Sequence, residues 1–162
     1  MDYRFCPLCG TALEGEYVVG QAYPHCPEGH YTAYPNQIAG VAGLVRRAGE
    51  VLLERRAITP GYGLWAAPGG MLEVGEEPSE GLAREIWEET GLTVQVGRLY
   101  AVRGGQRVLI LFYEATVTGG ALRTSPESLE VAWVPVPDIP WAAFAFSRHS
   151  DVLRAWINGQ GG

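Results

Sequence analysis

Lysine is absent from this chain. All twelve basic residues are Arg, against eighteen Asp and Glu, which leaves a formal net charge of −6. The missing lysine reads as codon bias rather than function. The negative balance gives no long-range attraction for polyanions, so nucleic acid is disfavoured as the main partner. A phosphate-bearing ligand would need a local remedy, either clustered arginine or a bound cation. No run of about eighteen apolar residues occurs, which excludes a hydrophobic membrane-spanning helix. The first residues, Met1-Asp-Tyr-Arg-Phe-Cys6, contain no apolar stretch of the signal-peptide kind, so a cytoplasmic protein is expected. Cysteine is scarce, with three in all, every one within the first 26 residues. That odd number argues against a disulfide framework and for a metal site.

What is present is enough for a core: 47% of residues are hydrophobic and only 19% charged. Residues 1–36 form a segment of their own, with the three cysteines, His25, His30, and Tyr3, Tyr17, Tyr23, Tyr31 and Tyr34, which are expected to pack it onto the rest. The texture changes at Gln37, so a second domain is expected over residues 37–158. Ile38 to Val45 and Val51 to Leu53, around a turn at residues 48–50, read as a hairpin. Residues 59–63 read as a Pro/Gly loop and residues 78–90 as a helix. Leu92–Arg103 and Arg107–Val117 read as strands joined at Gly104-Gly105, and Val131–Val136 as a further strand. Pro140 to Ile157 is expected to be mostly helical. Strands on both sides of a central helix, closed by a second helix, predict a mixed α/β (α+β) sandwich with a small N-terminal appendage.

The helix over residues 78–90 carries the strongest chemical signal. Pro78 suits the first turn, and Gly91 suits the left-handed position just past the end. Leu82 and Ile86, four apart, share one face. Glu85, Glu88 and Glu89 fall at i, i+3 and i+4 and share another. Each like-charge contact costs ~0.3–0.5 kcal/mol on an exposed helix, and the C-terminal end of the macrodipole adds to the cost. Arg84 can pair with Glu88 but is one cation for three anions. A hard divalent cation would resolve the conflict, with magnesium, manganese or calcium suited to oxygen ligands. An ordinary solvated acidic face is the other reading of these residues alone.

The spacing carries more than the charge. Gly70, Glu76, Arg84, Glu85, Ile86, Glu88, Glu89, Gly91 and Leu92 match every fixed position of the Nudix box, G-x5-E-x7-R-E-U-x-E-E-x-G-U, where U is a bulky aliphatic residue. The chain therefore resembles the Nudix hydrolases. The resemblance implies a mixed sheet between helices and hydrolysis of the pyrophosphate of a nucleoside diphosphate linked to another group. It implies Glu85, Glu88 and Glu89 as ligands of Mg2+ or Mn2+, Arg84 as the residue that orients them, Glu76 nearby, and Gly70 and Gly91 as backbone requirements. Gly81, where the family usually has Ala, should cost about 1 kcal/mol in helix stability. The catalytic base in this family is sometimes a box glutamate and sometimes one on a later loop. Glu127 is the first choice for the latter, with Glu130 beside it.

The cysteine segment contains Cys6-Pro-Leu-Cys9-Gly and Cys26-Pro-Glu-Gly-His30. A Cys3His set suits tetrahedral zinc, and so short a segment needs such a staple. Gly29 stands where ribbons of this kind usually carry a fourth cysteine, so a fourth ligand would be His30 or His25, and a vestigial ribbon without metal is the other reading. Four protein ligands leave no open position, so the role is structural. A zinc ribbon followed by Tyr31-x2-Tyr34-Pro35-Asn36 and a Nudix box resembles two groups. One is the NADH pyrophosphatases, whose Ser-Gln-Pro-Trp-Pro-Phe-Pro signature this chain lacks. The other includes the plant FAD pyrophosphatase. Gly63-Leu64-Trp65, Pro68-Gly69-Gly70, Pro126 to Glu130, and Ile139-Pro140 with Phe144-Ala145-Phe146-Ser147 resemble that second group. It implies a dinucleotide-type substrate such as FAD, ADP-ribose or NADH.

Candidate contacts for such a substrate are Arg55 and Arg56 at the end of the second strand, Gly70, and an aromatic platform among Trp65, Trp133, Trp141 and Phe146. His149 is expected to be a surface or helix residue. Two other readings stand: a nucleoside triphosphate or RNA-cap hydrolase, and a non-catalytic ligand sensor, although sensors often lose box glutamates. Homodimerisation is an expectation drawn from the family alone.

Overall fold

The computed structural model describes residues 3–105 and 107–159. They divide into two compact units, the first ending at Gln37 and the second beginning at Ile38.

The second unit is built on six strands: β1 (Ile38–Arg47), β2 (Glu50–Arg56), β3 (Trp65–Ala66), β4 (Leu92–Gly104), β5 (Val108–Gly120) and β6 (Ser128–Pro135). Two helices accompany them, α1 (Pro78–Thr90) and α2 (Ser147–Ile157). The sheet order is β3-β2-β1-β5-β4, with β6 paired to β2. β1 runs parallel to β5, while the β2–β6 and β4–β5 pairs are antiparallel. The apolar run of β1 is continuous because both of its faces are covered. Val41 and Val45 pack with Leu82 and Ile86 of α1. Ala42 and Leu44 pack with Val152 and Leu153 of α2. Gly43 lies under α1, where an added Cβ would come within 2.8 Å of Ile86 Cδ1. The expected sandwich is thus observed.

β1 and β2 pair only next to their turn, at Arg46–Val51 and Arg47–Glu50. They then separate, β2 continuing along β6 and β1 along β5. The edge of β1 left free by this split is taken up by the segment before α1. Val41 N–H donates to Gly70 O at 2.9 Å, Gly43 N–H to Pro68 O at 2.8 Å, and Leu72 N–H donates to Ala39 O at 3.0 Å. The glycine loop is therefore wedged into the opened sheet, in front of α1.

The segment from Pro140 to Ile157 is mostly helical, as expected, but it is interrupted. A 3-10 turn at Trp141–Ala143 gives way to extended backbone at Phe144, and α2 begins only at Ser147. Ala145 N–H donates to Trp65 O at 2.8 Å, and Phe144 bridges Trp65 in parallel. Pairing to β3 interrupts the helical run at Phe144 and Ala145. β6 also starts at Ser128, three residues before the expected Val131.

In the first unit, two tight turns face one another in sequence. Cys6 N–H donates to Thr11 O at 2.7 Å and Cys26 N–H donates to Tyr31 O at 2.8 Å. Short bridges Phe5–Ala12, Glu14–His25 and His25–Thr32 frame them. Tyr3 packs edge-on against Tyr31, and Tyr23 packs against Tyr17 and Tyr34. The buried apolar residues of this unit, among those described, are Cys6 and Cys26.

The β1–β2 turn is strained at one residue. Ala48 has φ 40° and Gly49 φ 84°, both positive as in a type I′ turn. Asn tolerates the left-handed region better than Ala. Ala48→Asn should therefore raise stability in a urea titration by roughly 0.5–1 kcal/mol. A loss of stability would show that Ala48 is not strained there.

Candidate active site

The C-terminal half of α1 carries the carboxylates into the mouth of the split sheet. Gly91, at φ 73°, ends the helix and donates its N–H to Trp87 O. A single guanidinium organises the helix face. Arg84 grips Glu76 with two nitrogens, Nε to Oε1 at 2.8 Å and Nη2 to Oε2 at 2.9 Å. Its Nη1 donates to Glu85 at 2.9 Å and to Glu88 at 3.1 Å, and Nη2 donates to Met71 O at 3.3 Å. This forked pairing holds the Glu76 carboxyl down at about 2, with Glu73 N–H assisting. Glu76 is thus committed to Arg84, while Glu85 and Glu88 keep free oxygen positions.

Glu89 is held differently. It is only 6% exposed, and Gly69 N–H donates to its Oε2 at 2.8 Å. Gly69 has φ 146°, and a Cβ there would run into Val41 O and come within 2.7 Å of Ala42 Cα. Only glycine lets the loop pass close enough to β1 to deliver that N–H. A Cβ at Gly70 would lie 2.5 Å from the Glu85 carboxylate. The two glycines are therefore clearance for two different carboxylates.

A further buried acid was not visible in the motif. Glu54 on β2 is 1% exposed and accepts a hydrogen bond from Ser128 Oγ at 2.9 Å. Arg56 Nη1 stands 3.7 Å from its other oxygen. Burial pushes the Glu54 carboxyl up to about 7, and Glu127 and Glu85 add repulsion. Burial and the neighbouring Glu54 and Glu85 charges push Glu89 up to about 9, against the pull of Gly69 N–H and Arg56. Burial also raises Glu85. The protein concentrates more acidity here than its own cations neutralise.

These groups face a cleft of about 760 Å3. Gly69, Gly70, Glu85, Glu88 and Glu89 line one side, Arg56 and Ile58–Pro60 another, and Ser125–Glu127 a third. Val108 and Ile110 of β5, with Phe146, Arg148 and His149 at the start of α2, complete the wall. Of the sequence candidates, Glu85, Glu88, Glu89, Gly70, Arg56, Glu127 and Phe146 meet in this cleft, with Arg84 and Glu76 joined to it through Glu85 and Glu88. Arg55 and Trp65 are not on its wall. Arg55 donates to Gly63 O at 3.0 Å and approaches Glu130 at 3.8 Å. Neighbouring strand residues point to opposite faces, so Arg55 and Arg56 cannot share one site. By the same alternation Glu54 shares the face of Arg56, which is the signal that could have found it. Trp65 packs on the α2 side of the core. Trp133 lies under Arg47 and Trp141 under Arg154.

His149 is a helix residue, one of the two expected placements, and it is buried, being 8% exposed. Its position with Val152, Leu153 and Trp156 at i+3, i+4 and i+7 puts it on the buried face of α2. Burial and the charge of Arg56 lower its pKa to about 4, despite a hydrogen bond to the backbone of Ala67.

The first unit holds a second cluster. The ligand atoms of Cys6, Cys9, Cys26 and His30 all lie within 4.8 Å of one another. Cys9 Sγ is 3.6 Å from Cys26 Sγ, and Cys26 Sγ is 4.0 Å from His30 Nδ1. Sulfurs at the corners of a zinc tetrahedron lie about 3.8 Å apart, so the donor set and spacing fit a zinc ribbon. Gly29, at φ 75°, donates its N–H to Cys26 O and turns the chain one residue early, which brings the longer His30 side chain to the fourth corner. His25 instead lies 3.2 Å from Tyr23 O. The hydroxyl of Thr11 and the His30 ring hold the Cys9 thiol down to about 6, a state ready to bind metal.

Comparison with known proteins agrees with this geometry. The NUDIX domain family model matches residues 35–156. A MutT-like protein of Streptomyces ambofaciens is 42% identical over 110 residues, covering 66% of this chain and 69% of that protein. An ADP-ribose pyrophosphatase of Methanocaldococcus jannaschii is 30% identical over 135 residues, covering 80% of each. An NAD-capped RNA hydrolase of Chromobacterium violaceum is 33% identical over 159 residues, 94% of this chain but 58% of that protein. The crystal structure of a NUDIX hydrolase from Nitrosomonas europaea superposes with a TM-score of 0.86 at 30% identity, covering 98% of this chain and 92% of that one. With the three box carboxylates of α1 on one wall of the cleft and the matching domain spanning most of the sequence, the chain belongs to the Nudix family of hydrolases.

Proposed function

We propose that this hydrolase cleaves the pyrophosphate between a nucleoside monophosphate and a second group, in a substrate of the ADP-ribose, FAD or NADH type, with Mg2+ or Mn2+. The observation that carries the reading is the carboxylate wall of the cleft, where Glu85, Glu88 and Glu89 stand together and one guanidinium is shared by Glu85 and Glu88 alone. Oxygen donors of this kind fit a hard divalent cation, and these three glutamates would hold it. Such an ion supplies charge neutralisation of the pyrophosphate oxygens and activation of water. Arg84 keeps the carboxylates in register, and Gly69 N–H fixes Glu89. Arg56, braced by Pro60 O at 3.0 Å, faces the phosphates. Glu127 accepts the proton of the attacking water as its oxygen bonds to one phosphorus. The bridging P–O bond breaks, and two monophosphates leave. The Glu127 loop is pinned for this role by Ala57 N–H donating to its carbonyl at 2.7 Å.

A second reading is an NAD-cap hydrolase, favoured by the relative of that name that aligns over 94% of this chain. The net charge of −6 speaks against a long RNA. Incubation with FAD, NADH, ADP-ribose, diadenosine polyphosphates, dNTPs and NAD-capped RNA separates these readings. Release of two monophosphates from a small dinucleotide is expected, and Glu89→Gln should lower the rate by roughly a hundredfold or more. Pyrophosphate release from dNTPs, or cleavage of the capped RNA alone, would overturn the substrate class.

Protons and the cation compete for the same wall. Glu54 and Glu89 are raised from 4.5 to about 7 and about 9, so the folded, cation-free protein holds protons that the unfolded chain releases. Their contribution to stability is present below about 4.5 and is lost as pH rises toward about 9. The thermal midpoint without divalent metal should therefore fall over that range, and saturating Mg2+ should flatten the fall. Calorimetry of Mn2+ binding in two buffers of different ionisation enthalpy should show proton release. Binding of equal strength at every pH, with no protons released, would contradict this assignment.

We further propose that Cys6, Cys9, Cys26 and His30 bind one structural Zn2+. With only Cys6 and Cys26 buried among its described apolar residues, the first unit has no other core. Elemental analysis should find one zinc per chain, lost in Cys9→Ser together with the near-ultraviolet dichroism of the paired tyrosines. An unchanged tyrosine signal after zinc loss would refute the stapling role.

A further inference from the structure

The hydrolytic reading leaves one buried acid without a task. Glu54 follows Val51, Leu52 and Leu53 on β2, and all four are buried. An apolar residue would suit that setting better than a carboxylate, whose burial is costly unless it is well paired. The two oxygens of Glu54 have different partners. Oε2 accepts a hydrogen bond from Ser128 Oγ at 2.9 Å, and Oε1 stands 3.7 Å from Arg56 Nη1.

Ser128 reaches Glu54 because β6 is irregular there. Arg55 pairs with Glu130 but Arg56 pairs with Ser128, so Leu129 is an extra residue in β6. In regular pairing Leu129 would stand opposite Arg56. The bulge leaves Leu129 exposed and brings buried Ser128 to the face that Glu54 and Arg56 share. Beyond Ser128 the hydrogen bonds run in one direction. Ser128 Oγ gives its single hydrogen to Glu54, so it is the acceptor at its 3.3 Å contact with Ser125 Oγ. Ser125 Oγ in turn accepts the Glu127 N–H at 3.1 Å. Glu54 is thus the end of a chain that starts at the backbone of Glu127. Arg56 stands beside the same carboxylate, and Arg56 and Glu127 both line the cleft.

We propose that Glu54 is a positioning residue: through Ser128 it fixes the loop that carries Glu127, and through its other oxygen it aims the Arg56 guanidinium. The proposal rests on the hydrolase reading above and adds to it Glu54, Ser125 and Ser128, which act through Glu127 and Arg56. One buried group then sets the spacing between the base and the phosphate-binding cation, and a displacement of either costs rate.

Two variants cut the two arms separately. Ser128→Ala removes the link to Glu127 and leaves Arg56 beside Glu54. Glu54→Gln keeps an acceptor for Ser128 and removes the charge beside Arg56. With ADP-ribose, Ser128→Ala should lower kcat about tenfold at an unchanged KM, and Glu54→Gln should raise KM about threefold to tenfold. Ser128→Thr keeps the hydroxyl and should recover most of the rate. In a Glu127→Gln background, Ser128→Ala should have no further effect on kcat. An equal loss in both backgrounds would show a general loosening of the fold and overturn the proposal, as would a wild-type kcat in Ser128→Ala or a wild-type KM in Glu54→Gln. Ser125→Ala breaks the chain one link further from the buried carboxylate and should reproduce the loss of kcat.

Amide hydrogen exchange tests the anchor without turnover. Ala57 N–H donates to Glu127 O, so its exchange reports whether the loop stays docked. The Ala57 and Glu127 amides should exchange about threefold to tenfold faster in Ser128→Ala and Ser125→Ala, and at the wild-type rate in Glu54→Gln, with the amides of β1 unchanged. Unaltered exchange at both positions in Ser128→Ala and Ser125→Ala would refute the anchor. Faster exchange there in a protein that cleaves no dinucleotide would uphold the anchor and remove the hydrolase reading instead.

Discussion

Unneutralised carboxylate charge at the split of the sheet is the constraint around which the rest is arranged. Arg84 spends two of its nitrogens on Glu76 and shares the remainder between Glu85 and Glu88. Glu89 receives one backbone N–H, from Gly69. Glu54, buried behind them, has a hydroxyl and a distant guanidinium. Burying charge on these terms costs stability, and a fold tolerates such a cost at a functional site. The divergence of β1 from β2, the glycine loop that fills the gap, and the left-handed end of α1 all bring the acids together.

How much of this was legible depended on whether local spacing or tertiary pairing decides the outcome. Pro78 and Gly91 bracket α1 in the sequence because both act through their own backbone, and the helix has those bounds. The carboxylate face follows from helical spacing alone. The break in the last helical stretch, at Phe144 and Ala145, could not be read in the same way. It is set by pairing to Trp65, about eighty residues earlier, and nothing in Trp-Ala-Ala-Phe announces that pairing. His149 lay within reach of the sequence, since its spacing to Val152, Leu153 and Trp156 describes a buried face. Arg55 and Arg56 were treated as a pair, although strand alternation separates them. The same alternation would have drawn Glu54 to the side of Arg56.

The two units meet the problem of stability by opposite means. The second has two apolar clusters, one on each face of the sheet, and can bury a core between α1 and α2. The first has a pair of cysteine turns and tyrosines that contact one another. In it, a glycine at position 29 substitutes geometry for a ligand, turning the chain so that His30 completes the set. The proposed zinc and the proposed catalytic cation thus differ in kind: soft donors closing a tetrahedron, and oxygen donors that leave room for substrate.

Anomalous diffraction from crystals soaked in Mn2+ tests the central claim most directly. The account predicts a peak bounded by the oxygens of Glu85, Glu88 and Glu89, absent in crystals of Glu89→Gln. A carboxylate wall that stays empty while Mn2+ binds elsewhere in the cleft, or nowhere, would contradict it.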